Sequence, residues 1–245
     1  MLRRIGRVLF AIYSPFFILQ LGINTSLCAL VSLVSIMITG HGRFSYLVGR
    51  FWSRLNLLLT GVRVTIRGTE HIQPGQPYLV MANHQSLYDV WAVIGRLPMQ
   101  LRFIIKHTIR TFPLVGFTLE RQGHIFVDRG RSDSAAKSID RAAKKISGGI
   151  SVFFFPEGTR SPDGRLIDFK SGGFRLAQAS GVPILPLTVN GGRKIARRGS
   201  LQLLPGRMDI TVHAPIPIPE GEERAVRRQL MEQVRQAIET ALRVE

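Results

Sequence analysis

The chain has 245 residues, with 33 lysines and arginines against 16 aspartates and glutamates, which gives a formal net charge of +17. Hydrophobic residues make up 45% of the sequence and charged residues 20%, a balance that excludes a disordered chain and favours a membrane-associated protein. The single cysteine, Cys28, excludes an intramolecular disulfide framework and a metal site built on several cysteines. The excess positive charge predicts a polyanionic partner, which is a nucleic acid, an anionic bilayer surface or a phosphorylated substrate.

The N-terminal region is predicted to attach the chain to a membrane. From Val8 to Gly40, a run of 33 residues, no residue is charged, and arginines flank this run on both sides. As one helix the run would rise about 50 Å, well over the roughly 30 Å hydrocarbon core of a bilayer. Polar residues between Gln20 and Ser26 divide it into two apolar halves, each too short to cross. We therefore expect a helical hairpin that enters the bilayer to about half its depth, with both ends on the cytoplasmic side.

Two alternatives to this hairpin follow from the same residues. One is a single membrane span over roughly Leu21 to Ile38. The other is a cleaved signal peptide, but no small-x-small cleavage site closes the apolar run, so we expect the segment to be retained. The next stretch, Phe44 to Leu59, is apolar at helical spacing with arginines between, which is typical of an interfacial helix and equally of a core helix.

From Val62 onward, short β-rich runs alternate with helical stretches. Val62, Val64 and Ile66 alternate with polar residues, as in a half-buried strand. Further strands are predicted at Tyr78 to Ala82, Phe103 to Ile105, His124 to Val127, Ser151 to Phe155 and Ile184 to Val189. The clearest predicted helices are Ser86 to Gly95, Arg131 to Ile146 and Glu222 to Arg243. This order predicts an α/β fold with a mixed, mostly parallel sheet flanked by helices.

A first candidate site follows the strand that ends at Ala82. His84 would lie at the carboxyl edge of the sheet, where α/β proteins bind ligands. Asp89, one turn into the next helix, can fold back and fix the imidazole tautomer, so that the other ring nitrogen accepts a proton. A substrate hydroxyl would then be the nucleophile. The plainer alternatives are a hydrogen-bonded turn residue at His84 and a helix cap of the form Ser86-x-x-Asp89.

A second candidate site follows the strand at residues 151–155. The segment Phe155 to Ser161 places a carboxylate, a glycine, a hydroxyl and an arginine in one turn. Gly158 would allow backbone N–H groups to approach an anion, and Arg160 offers a planar fork for phosphate oxygens. Lys106 and Arg129 follow two other strands. Each cation alone is more often a solvated surface charge, but together they predict a phosphate pocket.

Four blocks within residues 62–189 carry a resemblance to a known family. They are Asn83 to Asp89, Gly123-x-x-Phe126-x-x-Arg129, Phe155 to Ser161, and Val182 to Pro186. In this order they resemble the glycerolipid acyltransferase family, and within it the lysophosphatidic acid acyltransferases. The uncharged run predicts a membrane-anchoring part in residues 1–60, and the resemblance implies an acyltransferase catalytic domain in residues 61–245.

The resemblance also implies a reaction and a set of site residues. The reaction is transfer of a fatty acyl group from acyl-CoA or acyl-carrier protein to the sn-2 hydroxyl of lysophosphatidic acid, forming phosphatidic acid; another lyso-lipid acceptor, such as a lyso-ornithine lipid, is the alternative. His84 is implied as the general base and Asp89 as its orienting partner, with no metal and no cofactor. The implied acceptor-binding residues are Lys106, Gly123, Phe126, Arg129, Glu157, Gly158, Thr159 and Arg160.

A further basic cluster comprises Arg193, Lys194, Arg197 and Arg198. It is most simply a solvated face against anionic lipid head groups, and a nucleic-acid patch is the alternative, although no nucleic-acid-binding motif is present. The expected partners are therefore membrane phospholipids and the two substrates, with no nucleic acid. The expected location is the membrane, with the catalytic domain on the cytoplasmic face. A lipid-binding protein without catalysis would not need His84 beside Asp89.

Overall fold

The computed structural model describes residues 2–40, 42–128, 142–143, 146, 148–197, 199 and 203–244, with the backbone alone for residues 2–11 and 43. Seven strands within these residues form one sheet, in the order β1-β7-β6-β2-β5-β3-β4. Strands β6 and β7 pair in antiparallel fashion and all other neighbours are parallel, which confirms the mixed, mostly parallel sheet. The strands are β1 (Val62–Arg67), β2 (Leu79–Ala82), β3 (Leu101–Lys106), β4 (Ile125–Val127), β5 (Ser151–Phe154), β6 (Ile184–Asn190) and β7 (Gly206–Val212).

Seven α-helices accompany this sheet in the described ranges. They are α1 (Leu2–Thr39), α2 (Arg43–Leu59), α3 (Tyr88–Arg96), α4 (Pro113–Arg121), α5 (Ser171–Ser180), α6 (Gly192–Ile195) and α7 (Glu223–Glu239). Short 3₁₀ helices lie at Thr69–His71 and His107–Thr111. The helix predicted over residues 131–146 lies mostly outside the described residues.

The middle of the sheet is the most deeply buried part of the protein. Every residue of β2, β5 and β6 is buried. Because side chains alternate between the two faces of a strand, Val80 and Phe153 pack towards α2 and α3, whereas Met81 and Phe154 pack towards α5 and α7. Helices on both faces hold these strands in place, so their carboxyl ends are a rigid support for the segments that follow.

The turn predicted in the middle of the apolar N-terminal run is wrong, because α1 is one continuous helix of 38 residues. Two of the polar side chains that suggested a turn, Asn24 and Thr25, instead face α2. Asn24 Nδ2 donates a 3.2 Å hydrogen bond to Asn56 Oδ1, and Trp52 Nε1 donates one of 3.0 Å to Thr25 Oγ1. A helical hairpin is present, but α1 and α2 form it, and the connection follows Gly40.

The outer face of this α1–α2 hairpin is apolar, although its inner face is largely polar. Ser14, Asn24, Ser32 and Ser35 of α1 and Ser45, Ser53 and Asn56 of α2 are buried. The exposed large side chains include Ile12, Phe16, Leu19, Ile23, Leu27, Leu30, Val34, Met37, Phe44, Leu47, Phe51 and Leu58. An apolar surface of this extent on a soluble protein would be unusual. The segment Ile12–Thr39 is also long and apolar enough to cross a membrane, so the structure indicates membrane association.

Most of the other elements predicted from the sequence are present in the structure. All six predicted strands are present, within one or two residues of the predicted bounds, whereas β7 and the helices α4, α5 and α6 were not predicted. Helix α2 has features of both a core helix and an interfacial helix, because Leu57 is buried in the core and Phe51 is 60% exposed. The predicted boundary at residue 60, between the membrane-anchoring part and the catalytic domain, stays a prediction.

Candidate active site

The predicted site segments lie at one edge of the sheet. Strands β2, β5, β3 and β4 are parallel neighbours in this order, so their carboxyl ends lie side by side. His84 follows β2, the turn starting at Phe155 follows β5, and Lys106 ends β3. The fourth block forms the start of β6, which pairs with β2 on its other side. Arg129 lies outside the described residues.

His84 and Asp89 form a hydrogen-bonded pair. His84 Nδ1 lies 2.9 Å from Asp89 Oδ2. The Asp89 side chain is fully buried, whereas 13% of the His84 side chain is exposed. Because a carboxylate only accepts hydrogen bonds, Nδ1 carries the proton and Nε2 is the nitrogen that can accept one from a substrate. The pair is therefore suited to general-base chemistry.

Asp89 also closes the turn in which His84 stands. Its Oδ2 atom accepts hydrogen bonds of 2.7 Å from the N–H groups of Gln85 and Ser86. Ser86 Oγ accepts the N–H of Tyr88 at 3.4 Å, at the start of α3. One carboxylate thus serves both the capping function and the orienting function that the sequence left as alternatives.

Glu157 is buried beneath the same turn. Its Oε1 atom accepts the N–H of His84 at 2.6 Å, and its Oε2 atom accepts the N–H of Ile167 at 3.2 Å. Desolvation raises the Glu157 pKa to about 7 against the lowering effect of these two hydrogen bonds, and the nearby carboxylate of Asp89 adds to the rise. Both carboxylate oxygens face the protein backbone, so the geometry favours a positioning role over contact with an acceptor.

The turn after β5 touches His84 in two further ways. The Phe155 ring is stacked on the imidazole, with centroids 3.7 Å apart and planes inclined by 10°. The N–H of Ser161 donates a 2.7 Å hydrogen bond to the His84 carbonyl, and the N–H of Gly158, where φ is 73°, donates to the Phe155 carbonyl at 3.0 Å. Since these two N–H groups hold the turn together, stabilisation of an oxyanion would require another N–H group of the turn.

Of the remaining predicted site residues, Lys106, Thr159 and Arg160 end or follow strands at this carboxyl edge, whereas Gly123 precedes β4 and lies at the opposite end of that strand. Lys106 and Thr159 are exposed, and Arg160 is half-buried. Gly123, with φ of 86°, lies in the turn between α4 and β4, and Phe126 is half-buried within β4. Their contacts with a substrate stay predictions. In the part of the chain that the structure describes, no three His, Cys, Asp or Glu side chains lie close enough to hold a metal ion.

Two residues that support the site were not predicted. Asn83 bridges β2 to β6, because its Nδ2 atom donates to the Val189 carbonyl at 2.8 Å and its Oδ1 atom accepts the Val189 N–H at 2.7 Å. Gly192, at the start of α6, packs directly on Asp89, and a Cβ atom there would overlap Asp89 Oδ1. The Gly191-Gly192 pair was the only sequence signal for this close approach.

An apolar cavity lies between the α1–α2 hairpin, α4 and β3. The residues that line it include Ala29, Val48, Trp52, Phe103 and Val115. Phe103 links the cavity to the site through the core, because its ring centroid lies 4.9 Å from that of Phe153, which in turn lies 4.9 Å from that of Phe155. The described residues that line the cavity include none from β2, β5 or the turn after β5, so packed aromatic rings separate it from the His84–Asp89 pair.

Comparisons with known proteins agree with this geometry. The model of the acyltransferase family matches residues 63–190. The chain is 33% identical over 198 residues to 1-acyl-sn-glycerol-3-phosphate acyltransferase BAT2, chloroplastic, of Brassica napus, covering 76% of this chain and 57% of the relative. It is 32% identical over 160 residues to 1-acyl-sn-glycerol-3-phosphate acyltransferase alpha of Homo sapiens, covering 65% and 56%. The chain thus spans little more than half the length of these curated relatives.

A solved structure shares the whole fold. The crystal structure of the 1-acyl-sn-glycerophosphate (LPA) acyltransferase PlsC from Thermotoga maritima superposes with a TM-score of 0.78 at 24% sequence identity, and the match covers 97% of each chain. The likeness includes the N-terminal helices, since it extends over nearly all residues. The matched family model spans β1 to β6, the His84–Asp89 pair and the turn after β5, and the chain belongs to the acyltransferase family.

Proposed function

We propose that this protein transfers a fatty acyl group from a thioester to the sn-2 hydroxyl of 1-acyl-sn-glycerol-3-phosphate, forming phosphatidic acid. The observation that carries the proposal is the His84–Asp89 pair, held at 2.9 Å at the carboxyl edge of the sheet. The names of the relatives, which are 1-acyl-sn-glycerol-3-phosphate acyltransferases, support this acceptor. The thioester is acyl-CoA or acyl-carrier protein.

The reaction needs no nucleophile from the protein. His84 Nε2 takes the proton of the acceptor hydroxyl while that oxygen attacks the thioester carbonyl carbon. Asp89 stabilises the imidazolium that forms. When the tetrahedral intermediate collapses, the C–S bond breaks, and the leaving thiolate takes the proton back from the imidazolium. The ester product and a free thiol result, and the protein returns to its starting state.

Positive charge and an apolar cavity match the two parts of a lysophospholipid. Lys106 and Arg160 stand at the edge that carries His84, and both are suited to the phosphate of the acceptor. Arg129, which lies outside the described residues, is proposed as a third cation. The cavity between the hairpin, α4 and β3 is suited to a fatty acyl chain.

The α1–α2 hairpin explains how such substrates reach the site. We propose that its apolar outer face lies in the membrane, with the catalytic edge at the cytoplasmic surface. The arginines that flank the apolar run favour the cytoplasmic side for both ends, and the basic residues Arg193, Lys194 and Arg197 favour anionic head groups. An acceptor can then enter from the bilayer with its chain still in lipid.

The test is an assay of the purified protein with several acceptors and both donors. Lysophosphatidic acid, a lyso-ornithine lipid and a lysophospholipid with a larger head group are offered with acyl-CoA and with acyl-carrier protein. We expect the highest kcat/KM with lysophosphatidic acid. His84→Ala should lower kcat by about 10²–10⁴, the usual contribution of a general base.

His71→Ala is the matched control, because His71 lies in the 3₁₀ helix after β1, away from the catalytic edge. It should retain the wild-type kcat. A higher kcat/KM with the lyso-ornithine lipid would assign a different acceptor to the same site. Normal turnover in folded His84→Ala would contradict the proposed reaction, and the absence of any transfer would favour a lipid-binding protein.

A further inference from the structure

We propose that Phe155 is a positioning residue that holds the His84 imidazole in the plane from which Nε2 takes the acceptor proton, an inference that rests on the proposed function. The two rings lie face to face, with centroids 3.7 Å apart and planes inclined by 10°. Phe155 acts through the imidazole and makes no contact with the reacting atoms. Nothing in the sequence separates this phenylalanine from the three others in residues 153–169.

The hydrogen bond to Asp89 does not fix the imidazole by itself. The terminal torsion of a histidine side chain is broad, so the ring can turn about the His84 Cβ–Cγ bond, and a hydrogen bond tolerates moderate misalignment. Such a turn weakens the hydrogen bond to Asp89 without breaking it, but it tilts the plane in which Nε2 lies. A flat aromatic ring against one face of the imidazole removes this rotation. Asp89 therefore sets the direction of the imidazole and Phe155 sets its plane.

Phe155 is itself held in place by the sheet. It follows directly after β5, in which every residue is buried. Phe153 contacts the Phe155 ring edge to face, with centroids 4.9 Å apart and planes at 87°. The Phe155 carbonyl accepts the N–H of Gly158 at 3.0 Å, which fixes the backbone at the start of the turn. A ring supported in this way is a rigid surface for the imidazole.

The same turn holds the backbone of His84 on both sides. Glu157 Oε1 accepts the His84 N–H at 2.6 Å, and the N–H of Ser161 donates to the His84 carbonyl at 2.7 Å. The ring, the N–H and the carbonyl of His84 are thus each in contact with residues 155–161. The segment after β5 therefore positions the base, in addition to carrying Arg160 at the same edge of the sheet.

Replacement of the aromatic ring tests this role. Phe155→Met keeps the apolar volume but removes the flat face. We expect kcat to fall by about 10- to 100-fold, with KM for the acceptor changed less than about twofold, because misorientation of the base affects proton transfer more than binding. Phe155→Tyr retains the flat face and should keep about half of kcat or more.

Phe174→Met is the matched control, since Phe174 is a fully buried aromatic residue on the opposite face of the sheet. It should lower Tm without lowering kcat by more than about twofold. Circular dichroism verifies that each variant is folded, and Phe155→Leu, which also lacks a flat face, provides a second comparison. Normal kcat in folded Phe155→Met or Phe155→Leu would overturn the positioning role, as would an equal loss in Phe155→Tyr.

The His84→Ala background separates the two proposals. Adding Phe155→Met to His84→Ala should cause no further loss of kcat, because the group that Phe155 positions is then absent. A further loss of about tenfold would show that Phe155 acts on something other than His84. Normal turnover of His84→Ala alone contradicts the proposed function, whereas normal turnover of Phe155→Met beside an inactive His84→Ala contradicts the positioning role alone.

Discussion

Asp89 Oδ2 accepts three hydrogen bonds, one from His84 Nδ1 and two from the N–H groups of Gln85 and Ser86. Asp89→Asn can keep an oxygen at this point, so the turn should survive the change. The neutral amide, however, cannot stabilise the imidazolium that forms during the reaction. We expect kcat to fall by about 10²–10⁴ while Tm changes by only a few degrees, as steady-state kinetics and thermal denaturation would measure.

Asp89→Ala is the comparison that removes the oxygen as well as the charge. It leaves the N–H groups of Gln85 and Ser86 without their acceptor, so it should lower Tm clearly in addition to kcat. If Asp89→Asn lowered Tm as much as Asp89→Ala did, the charge would contribute to the turn itself, and its separate role towards His84 would be contradicted.

Glu157 gives the stability of the protein a dependence on pH. Burial raises its pKa from 4.5 to about 7 in the folded chain. Between these values the unfolded chain has released the Glu157 proton while the folded chain still holds it. The free energy of unfolding should therefore fall by roughly 3 kcal/mol as the pH rises through this range, with no further change from this group above it. Urea denaturation from about pH 5 to about pH 8 measures the effect.

Glu157→Gln isolates this contribution, because the amide does not titrate and its oxygen can still accept the His84 N–H. The free energy of unfolding of this variant should lack the fall that the wild type shows. Glu70→Gln, at an exposed glutamate in the first 3₁₀ helix, should keep it. The same fall in Glu157→Gln as in the wild type would assign the pH dependence to other groups.

Helix α6 lies so close to the site that its first residue has no room for a side chain. A Cβ atom at Gly192 would overlap Asp89 Oδ1 and lie 2.9 Å from Ser86 Cβ. Gly192→Ala should therefore displace Asp89 or α6, lowering kcat by about tenfold and lowering Tm. Gly22→Ala in α1, where nothing lies within 4 Å, should leave both unchanged or raise Tm slightly. Wild-type kcat and Tm in Gly192→Ala would contradict the tight packing.

Among the strands, the buried ones and the alternating β1 were predicted, whereas the alternating β7 was not. Strands β2, β5 and β6 are continuous apolar runs because helices cover both of their faces. In β7, only Met208, Ile210 and Val212 are buried, between partly exposed residues. This alternation is present in the sequence, but it is short and follows a proline and a glycine, so it was not recognised as a strand.

The contacts that complete the site come from packing between distant segments. His84 and Asp89 could be predicted because the strand, the turn and the helix that place them are consecutive in the chain. Phe155 and Gly192 reach His84 and Asp89 only because β5 lies beside β2 and α6 packs against α3. A single sequence does not show which face of which strand will meet the imidazole, so these roles required the structure.

At the scale of the whole molecule, α1 differs most from its prediction. Polar residues within an apolar run break a helix only if no partner satisfies them, and here Asn24 and Thr25 bind to Asn56 and Trp52 of α2. The sequence alone did not reveal this partner, since the pairs are 32 and 27 residues apart. The turn of the hairpin was therefore predicted within α1, whereas the structure has it between α1 and α2.

Further contacts of α1 with the rest of the protein indicate how this helix lies relative to the membrane. Tyr13 OH donates a 3.2 Å hydrogen bond to the Leu59 carbonyl, and Thr118 Oγ1 of α4 donates one of 3.3 Å to the Ala29 carbonyl. Helix α2 in turn is tied to α3, because Arg54 Nε donates to the Gly95 carbonyl at 2.9 Å. To cross a bilayer as an isolated span, α1 would have to leave these partners. We therefore expect α1 and α2 to enter one leaflet together.

Labelling of a thiol near the start of α1 tests this arrangement. In a Cys28→Ala background, Arg4→Cys places a thiol ahead of the uncharged run that begins at Val8. If the hairpin occupies one leaflet, this thiol lies on the cytoplasmic side, so an impermeant reagent should label it only after the cells are permeabilised. Gln229→Cys on α7, an exposed position of the catalytic domain, should behave in the same way. Labelling of Arg4→Cys, but not Gln229→Cys, in intact cells would show that α1 crosses the membrane and leaves its first residues opposite the catalytic edge.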